Sequence, residues 1–211
     1  MQTSAVSEIG LPKQNFGVIS LQRKVFSRSS IGLMFVDKES INYSPDDPSA
    51  ENTYSKFNRN VGLEYNLASP NNLWTGKAFL LKSFSPNKLG NGITQAAHLE
   101  YKSRKWNWRI QEESVEKDYI AEVGFVPRNG YVKLSSLFGH LFFPKAGKIV
   151  SHGPRINTSY YFDEGMNKTD DLVNLEYLVS FRNRSSFSLE LENEHVELLA
   201  PLILKFYDNF L

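Results

Sequence analysis

The chain has 211 residues, with 24 Lys and Arg against 23 Asp and Glu, a net charge of +1. A balance this even gives no electrostatic case for a nucleic-acid partner. The absence of cysteine excludes disulfide frameworks, thiolate metal sites and a cysteine nucleophile.

Residues Met1 to Gly10 carry neither a basic region nor an apolar run of the kind that opens a secretory signal, and 1–13 read as a lead-in or disordered segment. No run approaches the ~18 apolar residues of a membrane helix. Beyond that point helical periodicity is scarce and alternation with period two is common. The pattern predicts strands at 14–26, 30–41, 60–67, 73–84, 93–103, 106–113, 130–143, 149–163, 171–182 and 186–193. Alternation is cleanest at 60–67, where Val61, Leu63, Tyr65 and Leu67 share one face. At 171–182, Leu178 is the one mismatch. Lys77 and Lys82 fall on opposite faces of 73–84, and Pro154 predicts a bulge or an edge within 149–163. Residues 201–211 read as a truncated tail.

Connection lengths alternate. Short turns are expected at 27–30, 69–72, 104–105, 145–148 and 183–185, and longer connections at 42–57, 85–92, 114–129 and 164–170. Short turns at one rim and long loops at the other are the pattern of a transmembrane β-barrel. Glu64, Glu100, Lys102, Arg109, Gln111, Glu176, Arg182 and Glu190 lie opposite the apolar residues and are candidates to line a wet lumen. Trp74, Trp106 and Trp108 all sit beside short turns, as do Phe26, Phe142 and Phe187, where a membrane interface favours aromatic rings. The fold class expected is all-β, an antiparallel up-and-down meander of about ten strands, part or all of a transmembrane β-barrel. The barrel domain is expected over 14–200. With no signal segment alongside this pattern, the chain reads as a piece of a larger outer-membrane protein.

Residues Gly17 to Arg23 and Ser30 to Gly32 resemble the opening hairpin of a Bacteroidota family, domain-of-unknown-function family 5916. The segment Asp118-Tyr119-Ile120-Ala121-Glu122-Val123-Gly124-Phe125-Val126-Pro127-Arg128, with Tyr131 after it, is similar to that family's most recognisable motif. The resemblance covers about residues 14–200. It implies an outer-membrane barrel of no established chemistry, which usually follows a domain like a family 9 carbohydrate-binding module. That domain and the signal peptide have no counterpart here.

Within the motif, Pro127 cannot donate to a ladder and Gly124 permits unusual backbone angles. Arg128 is a candidate to hold a carboxylate, with Glu112, Glu113 and Glu116 near in sequence. Gly124, Phe125, Pro127 and Arg128 are therefore candidates for an inward constriction loop, set against an ordinary solvated outer loop.

The sequence carries few marks of catalytic or metal chemistry. His98, His140, His152 and His195 are not spaced as a metal pair. Gly90 and Gly92 read as turn residues. Glu112 and Glu113 alternate faces on a strand, so only one can line a given site, which argues against a glycosidase pair. The reading is a non-enzymatic barrel module without cofactor, partnered by the outer-membrane bilayer, with a glycan or small solute in its lumen. The alternative is a soluble β-sandwich or lipocalin-like barrel with the alternation inverted, holding a hydrophobic ligand or glycan.

Overall fold

The computed structural model describes residues 2–3, 12–41, 55–86 and 90–197. These form eleven strands and no helix: β1 (Gln2–Thr3), β2 (Lys13–Val25), β3 (Ser29–Ile41), β4 (Phe57–Ala68), β5 (Trp74–Phe84), β6 (Ile93–Lys102), β7 (Trp106–Val115), β8 (Tyr131–His140), β9 (Ile149–Phe162), β10 (Lys168–Phe181) and β11 (Ser186–His195). Every strand pairs antiparallel with its sequence neighbour, so the fold is one up-and-down meander in a single sheet. Among the described residues no ladder joins β11 back to β1 or β2. The ten expected strands are all present. The addition is β1, which pairs Gln2 with Asn15 and Thr3 with Gln14, within the segment expected to be a lead-in. The tail at 201–211 and most of the expected connection at 42–57 lie outside the described residues.

Turn chemistry sets several hairpins. Ser69 Oγ accepts from Trp74 N–H at 3.0 Å, Asn71 Oδ1 accepts from Leu73 N–H at 3.1 Å, and Asn72 takes φ 57°. Asn183 Oδ1 accepts from Ser185 N–H at 3.1 Å, and Ser103 Oγ from Trp106 N–H at 3.0 Å. Short polar side chains stand in here for backbone partners that the ladder cannot supply.

The alternation of connection lengths fails at one place. Between β8 and β9 the chain takes eight residues, 141–148, and between β9 and β10 only five, 163–167. The ladder itself is the reason. A register shift between Lys168 and Asp170 carries β10 pairing back to Phe162, which shortens the expected loop at 164–170. On the other side β8 stops at His140, and pairing resumes only as the bridge between Phe142 and His152. Pro154 sits in that gap, where its missing N–H costs no ladder bond. β9 is thus a central strand, not an edge. Gly153 is needed at the gap: a Cβ there would lie 1.8 Å from the His140 carbonyl oxygen.

The sheet is staggered and curled. One row of paired residues passes through Lys24, Ser30, Asn66, Gln111 and Leu172. It lies one residue from the short-turn end of β2 and nine residues from that end of β10. That is roughly one residue of stagger per strand, which at ~3.3 Å rise and ~4.8 Å strand spacing gives a tilt of about 35°. Val18 on β2 and Tyr131 on β8 line one cavity of about 460 Å³. In a flat sheet those strands would stand roughly 29 Å apart, so the sheet must wrap around its inner face.

Candidate functional site: a polar inner face crossed by the β7–β8 connection

The pleat divides the sheet into two chemically distinct faces. Register places Asn60, Gly62, Glu64 and Asn66 of β4 with Met34 and Lys38 of β3 and with Lys77, Phe79 and Leu81 of β5 on the inner face. Val61, Leu63, Tyr65 and Leu67 take the outer face. Among the described residues only three apolar side chains, Val115, Tyr119 and Tyr131, are buried, whereas ten polar or charged ones are. The apolar alternation is therefore not spent on an interior. It faces outward: Leu63 is 57% exposed, Ile110 61%, Leu175 48% and Leu191 64%.

Toward the short-turn rim the outer face carries a row of rings. Trp74 meets Trp108 at 4.9 Å and Tyr101 at 5.1 Å between centroids. Trp106 meets His140 at 4.0 Å, and the row continues through Phe142 and His152 to Tyr177. His152 Nδ1 and the Tyr177 hydroxyl are 2.7 Å apart. His140 and His152 thus belong to this row, and among the described residues no group of three metal-binding side chains forms. Toward the other rim the outer face turns charged. Arg59 pairs with Asp37 at 2.8 Å, and Lys82 lies 5.7 Å from the centre of the Phe84 ring.

Seven of the eight candidate lumen residues share the inner face by register: Glu64, Glu100, Lys102, Arg109, Gln111, Glu176 and Glu190. Glu64 pairs with Lys77 at 2.9 Å, which accounts for the two faces used by Lys77 and Lys82. Glu176 pairs with Arg155 at 3.1 Å, and Glu190 accepts from Asn174. Glu100 and Arg109 are direct cross-strand neighbours. Arg182 is different: it lies past the end of β10, where its Nε donates to the Gly147 carbonyl at 2.8 Å, so it fastens the short-turn rim. Leu178, the sequence mismatch, also faces inward, opposite Gly153, and lines a pocket with Gly153, Arg155 and Glu176.

Residues 116–130 fold over the inner face and are pinned at both ends. On one side Lys38 Nζ pairs with Glu122 Oε2 at 2.6 Å, with the lysine side chain only 2% exposed. Asn58, fully buried, donates to the Ile120 carbonyl at 3.1 Å and accepts from Glu122 N–H at 3.1 Å. On the other side Arg128 Nη1 pairs with Asp170 Oδ2 at 2.6 Å, and Nη2 donates to Thr169 Oγ1 at 3.3 Å. The Arg128 partner is thus Asp170 of β10, not the nearby glutamates. Glu112 is turned to the outer face, where Gln95 donates to it; Glu113 accepts from the Tyr131 hydroxyl; Glu116 accepts from Ile93 N–H at 2.8 Å. Gly124, Phe125 and Pro127 line the cavity beneath the segment. Tyr119 is buried at its centre, and burial raises its hydroxyl above the usual pKa.

Gly90 and Gly92 do more than turn the chain. Both donate their backbone N–H to the Asp118 carbonyl, at 2.7 and 3.0 Å, so they dock the crossing segment onto the β5–β6 connection. A Cβ on Gly92 would lie 2.3 Å from Tyr119 N. Lys38, Asn58 and Asp170 escaped the sequence reading, and Glu122 entered it only within the 118–128 motif. The available signal was the pair Asn58 and Asn60, since asparagine is depleted from strands and two at period two mark a polar, closely packed face.

Comparison with known proteins finds no family model, no curated protein and no solved structure that matches the chain.

Proposed function

We propose that this chain is an outer-membrane β-barrel module, with its apolar outer face against lipid, its polar inner face lining an aqueous path, and residues 116–130 as the constriction across that path. The observation that carries the reading is the exposed apolar band with two clusters of aromatic rings along its short-turn rim. Water makes such a band unfavourable, and a lipid core with an aromatic interface makes it stable. Strands of 10–14 residues from β2 to β11 meet the ~9–11 residues a tilted spanning strand needs. The role is passage or selective retention of a small polar solute or glycan, with Lys38, Glu122, Arg128 and Asp170 holding the constriction. The resemblance of the 118–131 segment to the Bacteroidota family supports the outer-membrane barrel in this reading.

The test is fractionation of the native cells, with samples run boiled and unboiled. The proposal expects the chain in the outer-membrane fraction with a mobility that shifts on boiling. A soluble band without a shift would overturn it and favour the ligand-binding soluble barrel.

A further inference from the structure

The connections at the short-turn rim share a charge of one sign. Arg28 lies between β2 and β3, Arg104 and Lys105 between β6 and β7, Lys145 and Lys148 between β8 and β9, and Arg182 and Arg184 between β10 and β11. No Asp or Glu stands in any connection at this rim. At the opposite rim, the described connections 116–130 and 163–167 hold Glu116, Asp118, Glu122, Asp163 and Glu164 against Lys117 and Arg128. The even charge balance of the chain thus hides a separation by rim. Every cation of the short-turn rim is exposed, and none enters an ion pair among the described residues. Two of them donate to neutral carbonyls instead, Arg28 to Pro70 at 3.4 Å and Arg182 to Gly147. Those bonds place the guanidinium groups without neutralising them, so the rim is a field of one sign open to an anionic partner.

The outer face supplies a seat for that partner. Lys105, His140 and His152 line an open groove together with Phe142, Phe143 and Pro144. Arg104 stands beside it, its guanidinium carbon 4.6 Å from the centre of the Phe143 ring. Leu141 N–H donates to the Lys105 carbonyl at 2.8 Å, which ties the two connections that form the groove. Along β8 toward this rim the outer face runs from exposed Leu134 and Phe138, through the rings of Trp106, His140 and Phe142, to Lys105 and Arg104. Apolar, aromatic, cationic is also the order of acyl chain, interface and phosphate across one leaflet. We propose that the short-turn rim binds anionic phospholipids of the leaflet it faces, with one phosphate held in this groove by Lys105 and Arg104 and the acyl chains against Phe138 and Leu134. The proposal rests on the membrane reading above and adds which lipid the chain selects. An acidic protein segment would match the charge but not the apolar surface that continues from the groove.

The probes are phosphatidylglycerol and phosphatidylcholine, each spin-labelled on an acyl chain, with the full chain in phosphatidylcholine vesicles. Electron paramagnetic resonance reads the fraction of each lipid that is motionally restricted at the protein. The proposal expects phosphatidylglycerol to be held about threefold more strongly than phosphatidylcholine at low salt. In about 1 M salt, where screening acts over ~3 Å, the ratio should fall toward one. Arg104→Gln with Lys105→Gln should bring the low-salt ratio below about twofold. Lys56→Gln with Lys117→Gln removes the same charge away from this rim and should leave the ratio near its starting value. Restricted fractions of equal size for the two lipids would overturn the proposal while leaving the membrane reading in place, and would pass the rim to an acidic protein partner. A ratio lowered equally by both double variants would also overturn it, because net charge alone would then be the cause. No restricted fraction from either lipid would overturn the membrane reading and this proposal with it. The ratio on the unaltered chain stands even if a variant fails to fold.

Discussion

Lys38 occupies a position that is costly unless its partner is kept. Its ammonium is almost wholly removed from water, and Glu122 and the Ser55 carbonyl are its partners. A buried charge without its counter-ion is strongly unfavourable, whereas the intact pair is close to break-even. Glu122→Gln should therefore destabilise the chain by roughly 3 kcal/mol, read as a lower urea midpoint at unchanged slope. Lys38→Met with Glu122→Gln should recover most of that loss, because the pair leaves together. Gly92 makes a different demand. A side chain there meets the Tyr119 backbone, so Gly92→Val must push residues 116–130 off the inner face. Limited proteolysis should then cut within 116–130 at least tenfold faster than in the unaltered chain, while the strands stay protected. From sequence, Lys38 went unremarked, Glu122 entered only within the 118–128 motif, and Gly92 only as a turn residue. Lys38 is 84 positions from its partner Glu122 and Asp170 is 42 from Arg128, and separations of that size have no local signature.

At the scale of the element, the strands were legible because their chemistry repeats. Period-two alternation located all ten long strands, and where it failed the cause was tertiary. Leu178 faces inward because the register sets it opposite Gly153 on that face, and Pro154 is tolerated because it lies where β8–β9 pairing lapses. Loop lengths were less legible, since the register shift at Lys168 and Asp170 shortens one connection that composition made look long. The two faces of a strand also make opposite predictions for the same substitution. Leu63→Arg, on the outer face, should cost about 2–4 kcal/mol if that face meets the bilayer midplane. An exposed leucine in water should accept arginine within about 0.5 kcal/mol. Ser135→Arg, on the inner face, serves as the control and should stay near neutral. Folding into lipid vesicles, followed by denaturant titration, separates these outcomes.

At the scale of the molecule, the stagger of about one residue per strand and the inward curl are the geometry of barrel walls. β11 pairs only with β10 among the described residues, and all ten of its residues are exposed. In a bilayer an open edge leaves backbone N–H and C=O groups without partners, so the membrane reading requires both outer strands to find partners. The proposed setting rests on the contrast between the sheet's two faces. An inner face of Glu64, Lys77, Arg155 and Glu176 in ion pairs needs water beside it. An outer face of exposed Leu63, Ile110, Leu175 and Leu191 is the one the proposal sets against lipid.

The absence of cysteine makes that difference measurable one residue at a time. Leu63→Cys and Glu64→Cys, each carrying a nitroxide, place probes one position apart on opposite faces of β4. In lipid vesicles, accessibility to oxygen should be high and to a water-soluble nickel complex low at position 63, with the order reversed at position 64. Equal and high nickel accessibility at both positions would mean that the apolar face meets water, and the membrane account would fall.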